Sequence, residues 1–453
     1  MAQRLSSKAR EVGTKADEEL LRRLAQEPAT IERKDLRYPK PLVPQGGMML
    51  VEMTRAFAEV ELLQIRQQID PDSRKDYKLI DEVAKKMIAT GLQRVNIPEE
   101  YGGVGILPIV NVCMALEELA RGEAGILVAV GGVTWSFLPA TLAGNKDVLS
   151  EWGPKACGDE PFIGCFAMTE PGGGCNIENL DMKGRGITTR ARLEGDEWVI
   201  NGVKTWPTNS GVADNYTVVC QTDPDLGDEG IALIHVPGDA KGLSFGPFHD
   251  KAGFRGAREC EFYFDGVRVP KKWRVSYPGR DAELFHNNLV YARLFSAPYA
   301  LGPAQGAFEE VLNFTKDRIA AGKPIRQHTV AANMLADMAI GIQAGRDCWI
   351  NAGYLYDHAE ECGLKPWDKY MLSRASIAKM FCCDTAIMVT NRAMELMGSY
   401  GYVTDMNVEK YWRDVKIIQL WEGGAQLGRL DVVRGYYYYD QFYINPVYEM
   451  LRA

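Results

Sequence analysis

Residues 198–206 read Trp-Val-Ile-Asn-Gly-Val-Lys-Thr-Trp and mark a change from helical to β character along the chain. β-Branched and aromatic residues, which favour strands, lie on both sides of Asn201-Gly202. An Asn-Gly pair between such runs is typical of a type I′ turn, because both central residues of that turn have positive φ. The stretch therefore predicts a β-hairpin.

Further short β-prone runs surround this hairpin. Asp265-Gly266 predicts a second turn, directly before the run Val267-Arg268-Val269. Many short strands with turns between them predict a small barrel or sandwich, which we place at residues 161–280. The other predicted strands are Tyr216–Cys220, Ile231–Val236 and Glu261–Phe264.

Helical patterns flank the β domain on both sides. Before it, helices are predicted over Met48–Gln68 and Lys78–Thr90, with Asp70-Pro71-Asp72 as a cap signal between them. After it, an apolar stripe recurs every four residues from Val330 to Ile342. The predicted fold class is α+β and mostly helical. Its parts are an N-terminal extension (1–47), an N-terminal all-α domain (48–160), the central small β-barrel domain (161–280) and a C-terminal four-helix-bundle domain (281–453).

The composition is that of a soluble globular protein. The 453 residues are 46% hydrophobic and 25% charged. A formal net charge of −8 argues against a nucleic-acid binder held by bulk charge. Ten cysteines without a Cys-x-x-Cys pair, and five histidines without metal-ligand spacing, predict reduced thiols, a cytoplasmic location and no metal site. Early acids such as Glu11 argue against a transit peptide.

One uncharged stretch, Ala124 to Asn145, is as long as a membrane span. It contains Gly131-Gly132 and Pro139, which favour a buried helix and turn near the protein centre. We predict no membrane span, with a single span as the alternative.

Two stretches could contact a ring-shaped ligand. Ala167 to Asn176 contains three consecutive glycines, which allow close backbone approach, although an ordinary flexible loop fits the composition as well. It matches neither Gly-x-Gly-x-x-Gly nor a phosphate loop. Trp206 and Thr208, after the predicted hairpin, could form a flat wall with a hydroxyl, although a tryptophan here is more often core.

A third stretch carries a candidate general base. Glu422 lies between Trp421 and two glycines in an apolar run. Desolvation there would raise its pKa toward the range that suits a base. A capping or salt-bridged glutamate near a helix start is the alternative.

Several motifs together, in this order, resemble an acyl-CoA dehydrogenase, a flavoprotein that desaturates acyl thioesters at Cα–Cβ. The resemblance runs from about residue 50 to the C-terminus. The motifs are Ile97-Pro98-Glu99-Glu100-Tyr101-Gly102-Gly103, Thr169-Glu170-Pro171-Gly172, Ile200-Asn201-Gly202-Val203-Lys204-Thr205-Trp206, Val267-Arg268-Val269-Pro270, Arg293 with Gly302, Arg318 with Gly322-Lys323-Pro324, Met397-Gly398-Ser399-Tyr400-Gly401, and Arg413-Asp414 before Glu422-Gly423.

The resemblance implies catalytic roles for two residues. Glu422 matches the base that takes the α-proton while the β-hydrogen leaves as hydride to flavin N5. The Glu422 backbone amide and a flavin hydroxyl would hold the thioester carbonyl. Some members carry the base just before the position of Arg293, where this chain has Ala292. Arg293 would position the base, with a buried structural arginine as the alternative.

The resemblance also implies an FAD site. Phe166, Met168 and Thr169 match the strand along the flavin, and Trp206 and Thr208 match the pair near N5. Arg318 matches an arginine that binds the pyrophosphate of a neighbouring subunit's cofactor, and Glu395 to Ser399 match a segment at its adenosine half. The remaining predicted FAD contacts are Gly174, Cys175, Gly424 and Gln426.

The acyl-CoA substrate would contact residues from several parts of the chain. They are Gly131, Gly132, Val133, Cys175, Arg293 and Gly423. The two neighbouring glycines hint at a bulky, branched or cyclic acyl group. Cys175, Gly424, Glu395 and Thr329 depart from the family pattern, in which Ser, Thr, Gln and Gln are common, so the flavin contacts could be altered.

The resemblance implies partners as well. Electrons would pass to electron-transferring flavoprotein, and cofactor sites shared between subunits imply a homotetramer, built as a dimer of dimers. One alternative is the same fold with other chemistry, as an acyl-CoA oxidase, flavin monooxygenase or desulfinase. Another is a non-catalytic protein that retains the fold.

Overall fold

The computed structural model describes residues 37–437, so most of the predicted extension lies outside the described residues. Arg37 and Tyr38, at its end, are buried, and Arg37 pairs with Glu118 at 2.9 Å. Five α-helices build the N-terminal part. They are α1 (Gly47–Phe57), α2 (Arg66–Ser73), α3 (Lys78–Ala89), α4 (Ile109–Ala143) and α5 (Lys146–Ala156).

The predicted helix over Met48–Gln68 is one helical run with a change of winding. A π turn (Ala58–Leu62) and a 3₁₀ turn (Leu63–Ile65) join α1 to α2. The predicted cap signal acts through Asp72, whose Oδ2 accepts a hydrogen bond from the Ile80 N–H in the first turn of α3 at 3.0 Å.

The uncharged stretch from Ala124 is the second half of α4. By length and composition this helix could cross a membrane, but 67% of its most apolar window is buried inside the structure. α4 packs against the helix Arg280–Asp317 of the C-terminal part and against the strand Gly164–Ala167 of the middle part.

Seven strands form one curled sheet in the middle of the chain. Its path is β1-β4-β2-β3-β7-β6, and β5 pairs antiparallel with β4. β1 pairs parallel with β4, so that Phe166 lies opposite Thr217. The strands are β1 (Gly164–Ala167), β2 (Arg190–Glu194), β3 (Glu197–Lys204), β4 (Asn215–Gln221), β5 (Ile231–Pro237), β6 (Leu243–Phe245) and β7 (Phe262–Pro270).

Both turns predicted inside this domain are wrong. β3 continues through Asn201-Gly202, and the turn that joins β2 to β3 is Gly195-Asp196. Asn201 faces Asp265-Gly266 in a bulge between β3 and β7, where its Oδ1 accepts from the Gly266 N–H at 2.9 Å. A bulge and a type I′ turn both use positive φ, so the same dipeptides fit either structure.

The C-terminal part is a helical bundle. α6 packs along α8 and α4, and a short hairpin of β8 and β9 follows α6. The elements are α6 (Arg280–Asp317), β8 (Ile319–Ala320), β9 (Lys323–Pro324), α7 (Thr329–Asp357), α8 (Lys369–Met397), α9 (Ser399–Tyr402), α10 (Val408–Leu420) and α11 (Gly424–Arg434).

Candidate active site

The turn between α10 and α11 carries Glu422 in a left-handed backbone conformation. Glu422, Gly423 and Gly424 have φ values of 50°, 82° and 63°. This conformation costs free energy at a glutamate, so surrounding contacts must hold it. The Lys379 ammonium group on α8 supplies them by donating to the carbonyl oxygens of Trp421 and Glu422, the latter at 3.0 Å.

Arg293 on α6 lies against this turn and is fully buried. Its Nη1 donates to Ser376 Oγ at 2.7 Å and to the Asp431 carboxylate at 2.6 Å. A Cβ on Gly423 would lie 3.0 Å from Nη2, so glycine lets the turn approach the arginine. The structure therefore brings the two predicted catalytic residues, Glu422 and Arg293, into one cluster.

The Glu422 carboxylate is buried without an ion-pair partner among residues 37–437. Its Oε2 is buried and has no hydrogen-bond partner among residues 37–437. Burial and then the charge of Glu178 raise the pKa of Glu422 to about 8, against the opposing effect of Lys379 and Arg293. Neither the capping role nor the salt bridge of the alternative interpretation occurs in the described residues.

A buried ion pair holds the residues that follow β1. Glu170 Oε1 accepts from Lys204 Nζ at 2.9 Å, and Lys204 also donates to the Met168 carbonyl at 2.7 Å. Burial alone would raise the pKa of Glu170, but Lys204 and hydrogen bonds from Thr188 and Thr189 lower it to about 2. The pair fixes the path of Met168 and Thr169 beside β3.

Next to this strand end, Trp206 presents an open aromatic surface. The Thr205 N–H donates to the Thr169 carbonyl at 3.0 Å, which places Trp206 beside the end of β1. The indole is 56% exposed, and its centre lies 4.3 Å from that of the His249 ring. Trp206 is therefore not a core residue.

Comparison with known proteins assigns this arrangement to a family. Three family models match, namely the N-terminal domain of acyl-CoA dehydrogenase at residues 44–160, the middle domain at 165–267 and the C-terminal domain at 282–437. The chain belongs to the acyl-CoA dehydrogenase family. The matches confirm the predicted fold class and the oxidoreductase assignment.

Individual relatives support the same family assignment. The human mitochondrial short-chain specific acyl-CoA dehydrogenase is 34% identical over 402 residues, which cover 88% of this chain and 92% of the relative. Cyclohexane-1-carbonyl-CoA dehydrogenase of Syntrophus aciditrophicus is 33% identical over 349 residues, covering 76% and 85%. A Mycobacterium smegmatis glutaryl-CoA dehydrogenase in complex with FADH2 superposes with a TM-score of 0.76 at 26% identity, covering 88% and 97%.

The family is FAD-dependent, and the described residues fit this cofactor. Beside the end of β1, the exposed Trp206 and the half-buried Phe166 offer aromatic surface to a ring. A Cβ on Gly172 or Gly174 would meet nothing within 4 Å, so the glycine loop is open on the side where a ligand could lie. The Cys175 side chain lies outside the described residues, and its predicted contacts stay a prediction.

The remaining predicted FAD residues fall in two places. Gly424 and Gln426 lie in the first turn of α11, next to Glu422. Arg318, Glu395 and Ser399 lie at one end of the bundle, where the Arg318 guanidinium is 5.4 Å from the Tyr400 ring centre. Glu395 is exposed and accepts from the Asn391 side chain at 2.8 Å. In the described part of the chain, no hydrogen bond or ion pair joins this second group to the Glu422 turn.

The predicted acyl-pocket residues lie on α4. A Cβ on Gly132 would lie 2.3 Å from the Gly164 carbonyl oxygen, so glycine here lets α4 approach β1. A Cβ on Gly131 would lie 3.3 Å from the Tyr299 hydroxyl. Val133 is buried in the main core. Gly131 is thus the one of the three whose neighbour is an aromatic side chain from α6.

Aromatic rings surround Trp421, the residue before Glu422. Trp135, Phe254 and Tyr299 pack edge-on against it, with ring centres 5.6 to 6.4 Å away. The Trp421 indole N–H donates to Ser296 Oγ on α6 at 2.8 Å. These contacts fix the side of the turn that faces α4.

Sequence reasoning missed three charged residues of the site. Lys379 could have been found, because a lysine inside the apolar stripe of α8 is unusual. Asp431 offers a similar signal, since it lies between Leu430 and Val432, whereas Glu178 gives none, since Asn176 and Asn179 lie close to it in the sequence. Only the packing of α11 and of the loop after β1 brings Asp431 and Glu178 to Arg293.

Proposed function

We propose that this protein oxidises an acyl-CoA thioester at Cα–Cβ to the 2-enoyl-CoA, with Glu422 as the base. The observation that carries the proposal is the buried, unpaired Glu422 Oε2 in a turn held by Lys379 and backed by Arg293. Such a carboxylate binds a proton tightly, as removal of a weakly acidic α-proton requires.

The chain's own residues account for the proton half of the reaction. The α-C–H bond breaks, its proton goes to the Glu422 carboxylate, and its electron pair goes toward the thioester carbonyl. The Glu422 backbone N–H is the protein's donor to that carbonyl oxygen. When bound, FAD accepts the β-hydrogen as hydride at N5. Arg293 keeps the turn in place through Asp431 and Ser376.

The residues that would hold the FAD ring lie at the end of β1 and in the segment that follows β3. Phe166, Met168, Thr169, Trp206 and Thr208 would line the ring, and the open loop at Gly174 and Cys175 would approach the phosphates. Arg318, Glu395 and Ser399 are exposed at the bundle end, which supports a role toward the cofactor of another subunit in a homotetramer. We further propose electron-transferring flavoprotein as the electron acceptor and the cytoplasm as the location.

The test is anaerobic reduction of the protein-bound flavin by acyl-CoA. Wild-type protein should bleach with a suitable acyl-CoA, and Glu422→Gln should bind FAD but fail to bleach, because the amide cannot take the proton. The exposed Glu82→Gln serves as the control and should bleach like wild type. A fully active Glu422→Gln protein would exclude this base. Rapid peroxide formation in air would indicate an oxidase instead.

We also propose a bulky, branched or cyclic acyl group as substrate. Gly131 supports this, because the absence of a side chain leaves space beside Tyr299 in a region walled by aromatic rings. In a panel of acyl-CoAs, Gly131→Val should reduce kcat/KM for branched and cyclic substrates more than for short linear ones. A preference of wild type for short linear acyl-CoAs would contradict the proposal.

A further inference from the structure

Glu178 lies in the loop after β1, and the fold buries it in the active site. Three residues after Glu178, Asp181 ties the loop to the bundle by pairing with Arg434 of α11. Arg434 also pairs with Asp431, one turn earlier in α11, at 2.8 Å. Glu178 is only 5% exposed. A carboxylate at this depth needs partners that offset its lost hydration.

The partners that Glu178 finds belong to the catalytic turn. Its carboxylate lies against Gly423, the residue directly after Glu422: a Cβ on Gly423 would lie 3.1 Å from Glu178 Oε2. Its Oε2 lies 3.6 Å from Arg293 Nη2 and has no hydrogen-bond partner in the described part of the chain. Glu178 therefore contacts the turn and the arginine that would hold the base.

The charges around this point do not balance. Glu178 comes from the loop, Glu422 from the turn and Asp431 from α11, while Arg293 from α6 and Lys379 from α8 are the cations. Asp431 engages Arg293 at 2.6 Å, and Lys379 is bound to two carbonyl oxygens. Glu178 thus shares Arg293 with Asp431, and Glu422 has no ion-pair partner among residues 37–437. Two carboxylates in one buried site disfavour each other's charge.

We propose that Glu178 is a positioning residue of the active site, which packs against Gly423 and Arg293 and places a second negative charge beside the base Glu422. This inference rests on the function proposed above. With Glu178 charged, Glu422 holds a proton more tightly and is a stronger base for the α-proton. Burial raises the pKa of both carboxyl groups, and the charge of Glu178 adds to the rise at Glu422.

The test compares Glu178→Gln with Glu178→Asp in the FAD-loaded enzyme. The glutamine keeps the shape and the packing against Gly423, but it removes the charge, so the pKa of Glu422 should fall. The acid limb of the pH profile of flavin reduction should move to lower pH by about one unit. Its high-pH plateau should fall, because a less basic carboxylate removes a proton more slowly. Glu178→Asp keeps the charge and should leave the limb near its wild-type position.

A second readout does not depend on turnover. The infrared band of a buried protonated carboxyl group can be titrated in the resting enzyme, and its loss in Glu422→Gln identifies the band of Glu422. In Glu178→Gln this band should disappear at lower pH than in wild type. An unchanged titration and an unchanged rate profile would overturn the inference, as would loss of folding in both Glu178 variants, which would assign Glu178 to the structure alone. Failure of wild type to reduce flavin with any acyl-CoA would instead contradict the proposed function.

Discussion

Single residues decide the chemistry of the Glu422 turn. Lys379 holds Glu422 in a left-handed conformation by binding the two carbonyl oxygens that flank its Cα. The proton affinity of Glu422 is high because its Oε2 is buried. Burial lowers the pKa of Lys379 to about 8, and in its charged form the same lysine limits the rise of the Glu422 pKa.

The pH dependence of the reaction follows from that pKa. Burial raises the pKa of Glu422 to about 8, and only the ionised carboxylate can accept the α-proton. We expect kcat/KM to rise with pH and to level off above about pH 8, with the acid limb reporting Glu422 in the free enzyme. A profile that stays flat down to pH 6 would contradict a raised pKa at the base.

Replacing Lys379 with methionine tests the support of the turn. Two buried carbonyl oxygens would lose their donor, and we expect the free energy of unfolding to fall by about 1–3 kcal/mol in a urea titration. The acid limb should also move to higher pH, because a positive charge beside Glu422 is lost. Lys86→Met, at an exposed pair with Glu61, is the control and should change stability by less than about 1 kcal/mol.

At the scale of elements, the bulge between β3 and β7 makes a direct prediction. A Cβ on Gly202 would lie 2.7 Å from Thr189 and its φ is 148°, whereas Gly266, at φ 62°, has open space around it. Gly266→Ala should therefore cost only the left-handed strain, about 1–2 kcal/mol, and Gly202→Ala should cost more. Thermal unfolding of both variants measures the difference, and equal losses would contradict the bulge geometry.

The sequence predicts those helices and strands whose pattern is contained in one continuous run of residues. Helices α3 and α7 follow from periodicity. Strands β4 and β5 follow from continuous apolar runs, because one face of each packs in the core shared with the helices and the other in the core of the β domain. The bulge could not be predicted, since Asn201 and Gly266 meet only when β3 pairs with β7. For the site, the motifs around Glu422 and Arg293 were informative, but Glu178 reaches them only through the packing of the loop after β1.

At the scale of the whole molecule, Asp414 joins the three parts of the chain. Its Oδ1 accepts from the Phe254 N–H of the middle part at 2.8 Å, and its Oδ2 lies 2.7 Å from Lys410 in α10. The Arg66 guanidinium of α2 lies 3.8 Å away, and Lys410 also pairs with Glu123 of α4 at 2.9 Å. Burial alone would raise the pKa of Asp414, but Lys410 and Arg66 lower it, so the carboxylate is charged at neutral pH.

Removing this carboxylate should weaken the cohesion of all three parts. We expect Asp414→Ala to lower the free energy of unfolding by about 3–5 kcal/mol, because buried cations lose their partner. Arg392→Ala breaks an exposed pair with Asp337 and should cost less than about 1 kcal/mol. Tryptophan fluorescence and far-UV circular dichroism in urea measure both variants, and a loss in Asp414→Ala no larger than in Arg392→Ala would contradict the role of the junction.

The most direct test of Glu422 as the base is exchange of the substrate α-hydrogen with solvent. Wild type and Glu422→Gln, each loaded with FAD, are incubated anaerobically with acyl-CoA in deuterated water, and deuterium at Cα is measured by NMR. The account predicts incorporation by wild type and none above background by Glu422→Gln at equal flavin content. Incorporation by Glu422→Gln at the wild-type rate would show that another group removes the proton.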